Sequence, residues 1–369
     1  DIVITTYGCV AMEEPASESV SKKTPLNVVR NVVVVPKTTP TLSLLTFRAD
    51  RVIFDEAHHL RNKNSRIFKG AMRVVAAAAA AEAEGAKRPS VWIVTGTPIQ
   101  NKISDLKSLC YVLGFGVGDL ISEEKRRAIR DKYVLRRTKV SVGMVADAAE
   151  GETDDVTCAP RLQSLKHNKS QVPWGSENEL ALSREIHQRA RFTTDRAERL
   201  KLYTRMRQMC VWPALVSSWS SNTKRGDKEV ELIEDTHGFE MDEFKVAISK
   251  QSKLDRVVAT MMAEVGVAEV GRKSIVFCHY RREMTQLRDM LLRSGVVASE
   301  DDIAIIDGTV GPRVRSRIFA AAPTVLILQI RTCSEGLNLQ SYSDVYFISP
   351  HWNPCVEDQA IARCYRMGQ

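Results

Sequence analysis

Residues 51–62 read RVIFDEAHHLRN. The apolar run Val52–Phe54 leads straight into two carboxylates, Asp55 and Glu56. Such a run reads as a buried strand that delivers its acids to a site at the strand's C-terminal end. A carboxylate placed there can hold Mg2+ beside nucleotide phosphates, usually through water. A second carboxylate beside it can orient or deprotonate an attacking water. The local alternative is a helix start, with Asp55 as N-cap and Glu56 in the first turn. The stretch by itself leaves both open.

Working outward, DIVITTY (1–7) and VWIVTGTP (91–98) repeat the pattern of a short apolar run ending in small or polar residues. With RVIF they read as parallel strands whose chemistry lies at their C-terminal ends. Between the last two lies IFKGAMRVVAAAAAAEAEGAK (67–87), a strong helix former closed by Gly85. NVVVVP (31–36) has the composition of a further strand without a readable place. In VTGTPIQN (94–101), Thr95 and Thr97 offer hydroxyls, Gly96 permits close backbone approach, and Pro98 with Asn101 shapes a turn. Neighbouring strand ends place this loop next to Asp55; an ordinary strand-to-helix turn is the alternative.

The texture changes between Val140 and Lys250. VSVGMVADAAEGETDD (140–155) reads as a flexible link. Residues 177–209 carry apolar positions at helical spacing among many charges, which predicts long solvent-facing helices. VSSWSSNTKRGDKE (216–229) reads as a surface loop. Strand–helix alternation then returns with SIVFCHY (274–280), a helix closed by Gly295, DIAIIDG (302–308), TVLILQI (324–330) and DVYFISP (344–350). The expected domains are therefore 1–140, a helical link and insertion over 141–250, and 251–369.

Two later stretches add polar groups. CSEGLNLQ (333–340) sets Gly336 after a buried strand, a place for close approach to a ligand, with Ser334, Glu335 and Asn338 around it. HWNPCVEDQAIARCYRMGQ (351–369) starts a helix with Asn353 as N-cap and Pro354 at the first position. Gln359, Arg363 and Arg366 at i, i+4 and i+7 share one face. Two arginines aimed together can neutralise a transferring phosphoryl group. A basic face paired with acids is the plainer reading.

Composition bounds these readings. The 369 residues are 44% hydrophobic and 27% charged, ordinary globular usage that is enough for two or three domains. The formal net charge of +8 suits a polyanion partner or a merely basic protein. Eight scattered cysteines form no C-x-x-C pair, which argues against a zinc module and for a reduced compartment. No run approaches the roughly 20 apolar residues of a membrane helix, and no signal peptide opens the chain. A first residue of Asp1, within a strand-like run, suggests a chain cut at the front.

Together DIVITTYG, RVIFDEAHHLRN, VTGTPIQN, YVLRRTK, RQMCVWPAL, SKLDRVV, SIVFCHY, IDGTV, VLILQIRTCSEGLNLQ and HWNPCVEDQAIARCYRMGQ resemble, in order and spacing, the Swi/Snf-like branch of superfamily 2 helicase-type ATPases. The resemblance runs from the first residue to the last. It implies an α/β fold of two RecA-like parallel-sheet lobes, the first incomplete, joined by a helical linker, with ATP and Mg2+ in the cleft and double-stranded DNA across both. By analogy Asp55 holds Mg2+, Glu56 activates water, and His58 couples their loop to neighbouring motifs or is simply a satisfied buried histidine. Arg363 and Arg366 act as fingers, with Gln359 alongside. Thr5, Thr6, Thr332, Ser334 and Gly336 look like DNA-backbone or coupling positions. Arg136 and Arg137 link lobes, touch phosphate, or are a solvated pair.

The chain departs from the family pattern. No G-x-x-x-x-G-K-[ST] loop precedes Asp55, and GVAEVGRKS (266–274) has one residue too many and precedes a strand instead of following one. TCSEG stands in place of a glycine-rich step, and the 369 residues hold neither the brace segments that often follow in the family nor a ring-type zinc insertion. The expectation is a nuclear DNA translocase of chromatin-remodelling or repair type (cytoplasmic in a virus or bacterium), whose isolated 369 residues are weak or inactive. An RNA helicase of the DEAH type and a non-catalytic nucleic-acid-binding relative are the rivals. Nucleosomes, damaged DNA and a stalled transcription complex are equally open as substrates.

Overall fold

The computed structural model describes residues 2–12, 28–29, 32–34, 49–80, 89–138, 162, 165–216, 249–265, 272–333 and 337–366. The chain divides into two compact units, Asp1–Arg136 and Arg137–Gln369. Gly85 and the stretches 140–155 and 217–229 lie outside the described residues.

In the first unit, β1 (Ile2–Ile4) pairs in parallel with β3 (Val32–Val34), and β2 (Val28–Val29) lies antiparallel on β3. The NVVVVP run is thus a strand with a place. β4 (Arg51–Phe54) and β5 (Ser90–Ile93) form a separate parallel pair, Phe54 opposite Ile93. Among the described residues, DIVITTY is therefore not hydrogen-bonded into one sheet with the other two runs. Side chains make the connection instead. Helix α1 (Tyr7–Met12) follows β1 and packs Tyr7 and Val10 into a core with Phe54, Ala57, Leu60, Phe68, Ala71, Leu109 and Val112. RVIF is also buried on one face only: Phe54 points to this core while Ile53, opposite Trp92, is 61% exposed.

Helix α2 (Arg66–Ala80) starts where Ser65 Oγ accepts the Phe68 N–H at 3.1 Å. It meets α1 at Gly70, where a Cβ would stand 1.9 Å from the Val10 carbonyl oxygen. Helix α3 (Ile103–Val112) adds Leu109 and Val112 to the same core, and α4 (Glu123–Tyr133), capped by Ser122, buries none of its residues.

The second unit opens with α5 (Glu177–Phe192) and α6 (Arg196–Val211), an antiparallel hairpin. These helices do more than face solvent. Leu182, Ile186 and Met209 form a small core between them, and Val211 joins the main core beyond. After α7 (Ser252–Val265), four parallel strands β6 (Ser274–Cys278), β7 (Ile303–Ile306), β8 (Val325–Gln329) and β9 (Asp344–Phe347) stand in the order β7-β8-β6-β9. Ile275–Cys278 and Val325–Leu328 are buried throughout, as parallel strands covered on both faces require. Each such side chain contributes about 1.5–3 kcal/mol. One face is covered by α7 and α8 (Arg281–Ser294), the other by α9 (Pro312–Ala321) and α11 (Pro354–Cys364), with the short α10 (Ile330–Cys333) after β8. Gly295 ends α8 at φ 76°, as its position predicts.

Candidate functional site

The functional groups of the first unit gather where β4 and β5 end. Val94 N–H donates to the Phe54 carbonyl at 2.9 Å and Ala57 N–H to the Val94 carbonyl at 3.0 Å. These bonds seat the VTGTPIQN loop beside the acids, as expected. Asp55 is not a helix N-cap. A 3₁₀ turn (Ala57–Leu60) follows instead, and Glu56 precedes it at φ 47°, ψ 46° without capping through its side chain. A left-handed non-glycine residue costs about 1–3 kcal/mol and is retained where the surroundings impose it, often at working sites. Asp55 Oδ1 accepts the Glu56 N–H at 2.9 Å.

His58 is buried, its Nδ1 3.4 Å from Glu56 Oε2, and its ring stands 4.5 Å from that of His59. Tyr7 donates its hydroxyl to the Asp55 carbonyl at 2.7 Å. Burial, then the charges of Asp55 and Glu56, push the Tyr7 pKa up to about 12, which keeps it a donor.

Thr97 is buried and accepts from Gln100 Nε2 at 3.4 Å, while Thr95 Oγ1 accepts the Thr97 N–H at 3.1 Å. The loop's shape is held by a residue the sequence reading missed. Asp105 Oδ2 accepts the N–H groups of Gln100, Asn101 and Lys102 at 3.2, 2.8 and 3.2 Å. An acid at the third position of the helix after the loop was the available signal. Thr5 and Thr6 are exposed. Thr6 Oγ1 accepts the Cys9 N–H at 3.4 Å, so it also starts α1.

The donor set suits Mg2+. Among the described residues no group of three or more His, Cys, Asp or Glu side chains is arranged to hold a metal ion by itself. Two adjacent carboxylates match an ion that takes one or two protein oxygens and completes its shell with phosphate and water.

In the second unit, Asn353 Oδ1 accepts the Cys355 N–H at 3.0 Å and Pro354 opens α11, as read from the sequence. Glu357 Oε1 accepts the His351 N–H at 2.6 Å. Gln359 and Arg363 lie one turn apart on this helix, and the Arg363 carbonyl accepts the Leu339 N–H at 3.0 Å. Arg366 does not share their helical face. The helix stops at Cys364, Tyr365 leaves it at ψ 81°, and Arg366 Nε turns back to donate to the Ala362 carbonyl at 2.9 Å. Ser334 and Gly336 lie outside the described residues, as does the Thr332 side chain; the Thr332 backbone belongs to α10. Arg136 and Arg137 are exposed.

A second group missed by the sequence reading lies at the ends of β6 and β9. Glu283, fully buried, accepts the N–H groups of His279 and Tyr280 at 3.0 Å each. Burial raises its pKa to about 7. Burial lowers that of His279 to about 4, although the Ser349 carbonyl 3.1 Å from its Nε2 favours a proton there. Arg207 of α6 donates Nη2 to the Pro350 carbonyl at 2.7 Å, and its guanidinium carbon lies 4.5 Å from the centre of the Trp352 ring.

Comparison with known proteins agrees with these two units. Residues 1–126 match the SNF2-related domain, and residues 250–368 match the helicase conserved C-terminal domain. The chain is 23% identical to a putative SWI/SNF-related matrix-associated actin-dependent regulator of chromatin, subfamily A member 3-like 1, of Arabidopsis thaliana, covering 100% of this chain and 48% of that protein. It is 25% identical to a probable global transactivator of Orgyia pseudotsugata multicapsid polyhedrosis virus (88% and 60%) and 24% identical to the helicase-like transcription factor of Mus musculus (86% and 40%). The chain thus spans about half the length of these curated relatives. Among solved structures, the Pyrococcus furiosus Hef helicase domain aligns at 15% identity and TM-score 0.36, over 86% of this chain and 69% of that one. The C-terminal part of the Fun30 ATPase domain aligns at 16% and 0.33, over 52% and 76%.

Proposed function

The chain belongs to the Swi/Snf-like family of superfamily 2 helicase-type ATPases, and on that premise we propose that it serves ATP-driven movement along double-stranded DNA in chromatin remodelling or repair. The observation that carries this reading is Glu56, held left-handed directly after Asp55 at the end of a parallel strand. Mg2+ would supply charge neutralisation at the phosphates of ATP. Asp55 is the residue to hold it, and Glu56 takes the proton of the attacking water. Buried His58, beside Glu56, keeps that carboxylate oriented.

Arg363, on a helix begun by Asn353 and Pro354, is the stronger finger. Arg366 is the weaker one, because one of its N–H groups already serves the Ala362 carbonyl. Gln359 stands beside Arg363 as a nucleotide contact. Thr5, Thr6, Thr332 and Ser334 meet the DNA backbone, and Gly336 lets the loop approach closely. The motor works on duplex DNA in the nucleus. The domain reading 1–140, 141–250 and 251–369 stands as part of the same proposal.

DNA-stimulated ATP hydrolysis tests this in a chain that carries these residues together with a phosphate-binding loop, which is not among the 369. Glu56→Gln is expected to lower turnover about 100- to 10,000-fold with DNA affinity unchanged, and Arg363→Ala to lower it about 1,000-fold or more. Undiminished turnover in Glu56→Gln would remove its role as base. Separation of RNA strands without travel along duplex DNA would point to the RNA helicase class.

A further inference from the structure

The charge of the chain is not spread evenly. Residues 189–207 hold six arginines and one lysine against one aspartate and one glutamate, a net +5 within a chain whose total is +8. They form the last turn of α5, the tip of the hairpin and most of α6. Both acids are already engaged. Asp195 caps α6, accepting the Ala197 and Glu198 N–H groups at 3.0 and 3.4 Å, and Glu198 pairs with Lys201 at 3.1 Å. Arg191, Arg196 and Arg199 take part in no ion pair among the described residues.

Apolar groups are exposed on the same ground. Phe192 is 78% exposed, Leu200 64% and Tyr203 40%. Arg196, Leu200, Tyr203 and Arg207 stand at i, i+4, i+7 and i+11, one stripe of α6. At its far end Arg207 meets the exposed Trp352. The stripe therefore begins at the free tip and ends on the loop that leads into α11. A hydrophobic partner would leave the arginines desolvated and unmatched. A flexible acidic peptide would pay ordering entropy along the whole stripe. A stiff polyanion with evenly spaced charges suits arginine forks, and tyrosine can pack on its sugars.

We propose that the outer face of the α5–α6 hairpin, centred on Arg191, Arg196, Arg199 and Tyr203, is a contact surface for the phosphate backbone of duplex DNA. This rests on the reading of the protein as a duplex-DNA motor and adds to it a grip outside both sets of nucleotide-site residues. The contact is to backbone, so it holds any sequence alike.

Fluorescence anisotropy with a labelled duplex of about 30 base pairs, over about 50 to 200 mM salt, tests it. The triple variant Arg191→Gln, Arg196→Gln, Arg199→Gln is expected to bind about ten-fold or more weakly, with the slope of log K against log salt smaller by about 2 to 3. Ala197→Glu serves as a second variant: it places a carboxylate on the exposed first turn of α6, where a helix start favours one. It should weaken binding several-fold with the fold intact by circular dichroism. Arg127→Gln with Arg130→Gln on the exposed α4 should leave the slope unchanged.

Wild type that binds with an ordinary salt slope, while Ala197→Glu and the triple variant bind equally well, overturns the hairpin surface and leaves the motor reading standing. Equal loss in the α4 variant, or tighter binding of poly-glutamate than of DNA, overturns it also. Wild type without any salt-dependent duplex binding overturns the motor reading itself.

Discussion

The Tyr7 hydroxyl donates to the backbone carbonyl of Asp55 at 2.7 Å, across 48 residues of sequence. This bond ties α1 to the turn that presents the paired acids. Tyr7→Phe keeps the ring in its core and removes only the donor. Stability should fall by about 1 kcal/mol, read as a lower urea midpoint at unchanged slope. No change would mean that ring packing alone holds the turn.

Gly70 lies inside α2, where alanine is ordinarily preferred by about 1 kcal/mol. The Val10 carbonyl lies where its Cβ would be. Gly70→Ala should therefore destabilise the first unit by several kcal/mol, since backbone must move to admit one methyl group. A thermal melt showing stabilisation would mean that α1 does not pack on α2 here.

Asp105 satisfies three backbone donors of the VTGTPIQN loop with one oxygen. Asp105→Ala should cost about 2–4 kcal/mol. Hydrogen exchange at Gln100, Asn101 and Lys102 should accelerate more than exchange within α3. Exchange that speeds up evenly across the unit would show general loosening, without a specific role for this carboxylate.

Glu283 provides a pH test. Its folded pKa of about 7 stands above its ordinary 4.5, so folding raises its affinity for a proton. The stability it contributes is complete below about pH 4.5 and is lost as pH rises through about 7, a span worth about 3 kcal/mol. His279 acts in the opposite sense, removing stability as pH falls from about 6.5 towards 4. Lys253 also acts on Glu283 and favours its charged form. Comparing Glu283→Gln with wild type isolates the carboxyl. The glutamine oxygen can still accept from His279 and Tyr280, so the variant should match wild type near pH 5 and melt higher at pH 8. A variant equally destabilised at both pH values would contradict the burial argument.

Much of the second unit was legible in sequence because its strands are covered on both faces. SIVFC and VLIL are unbroken apolar runs, and buried parallel strands need nothing else. Gly295 and the Asn353–Pro354 pair marked helix ends because each supplies what a helix terminus lacks locally: a left-handed backbone, a side-chain acceptor, a proline whose missing N–H costs nothing. The acids after RVIF were legible for the same reason, since strand, turn and chemistry are neighbours in the chain.

What stayed hidden depends on partners remote in sequence. Arg207 meets Pro350 across 143 residues, and Tyr7 meets Asp55 across 48. Arg366 was assigned to a helical face because spacing is computed as if the helix continues, whereas the backbone turns out of it at Tyr365. DIVITTY reads as a parallel strand, but apolar alternation does not choose its ladder partner, which among the described residues is β3.

Residue order by itself determined the strands of the second unit, the helix ends at Gly295 and Asn353–Pro354, and the acids and guanidinium groups on offer, since those follow from period and local bonding. Tertiary structure alone decided which strand lies beside which, that Glu56 is left-handed, and that one buried glutamate titrates near neutrality. Each of these depends on close packing and desolvation, which no pattern along the chain encodes.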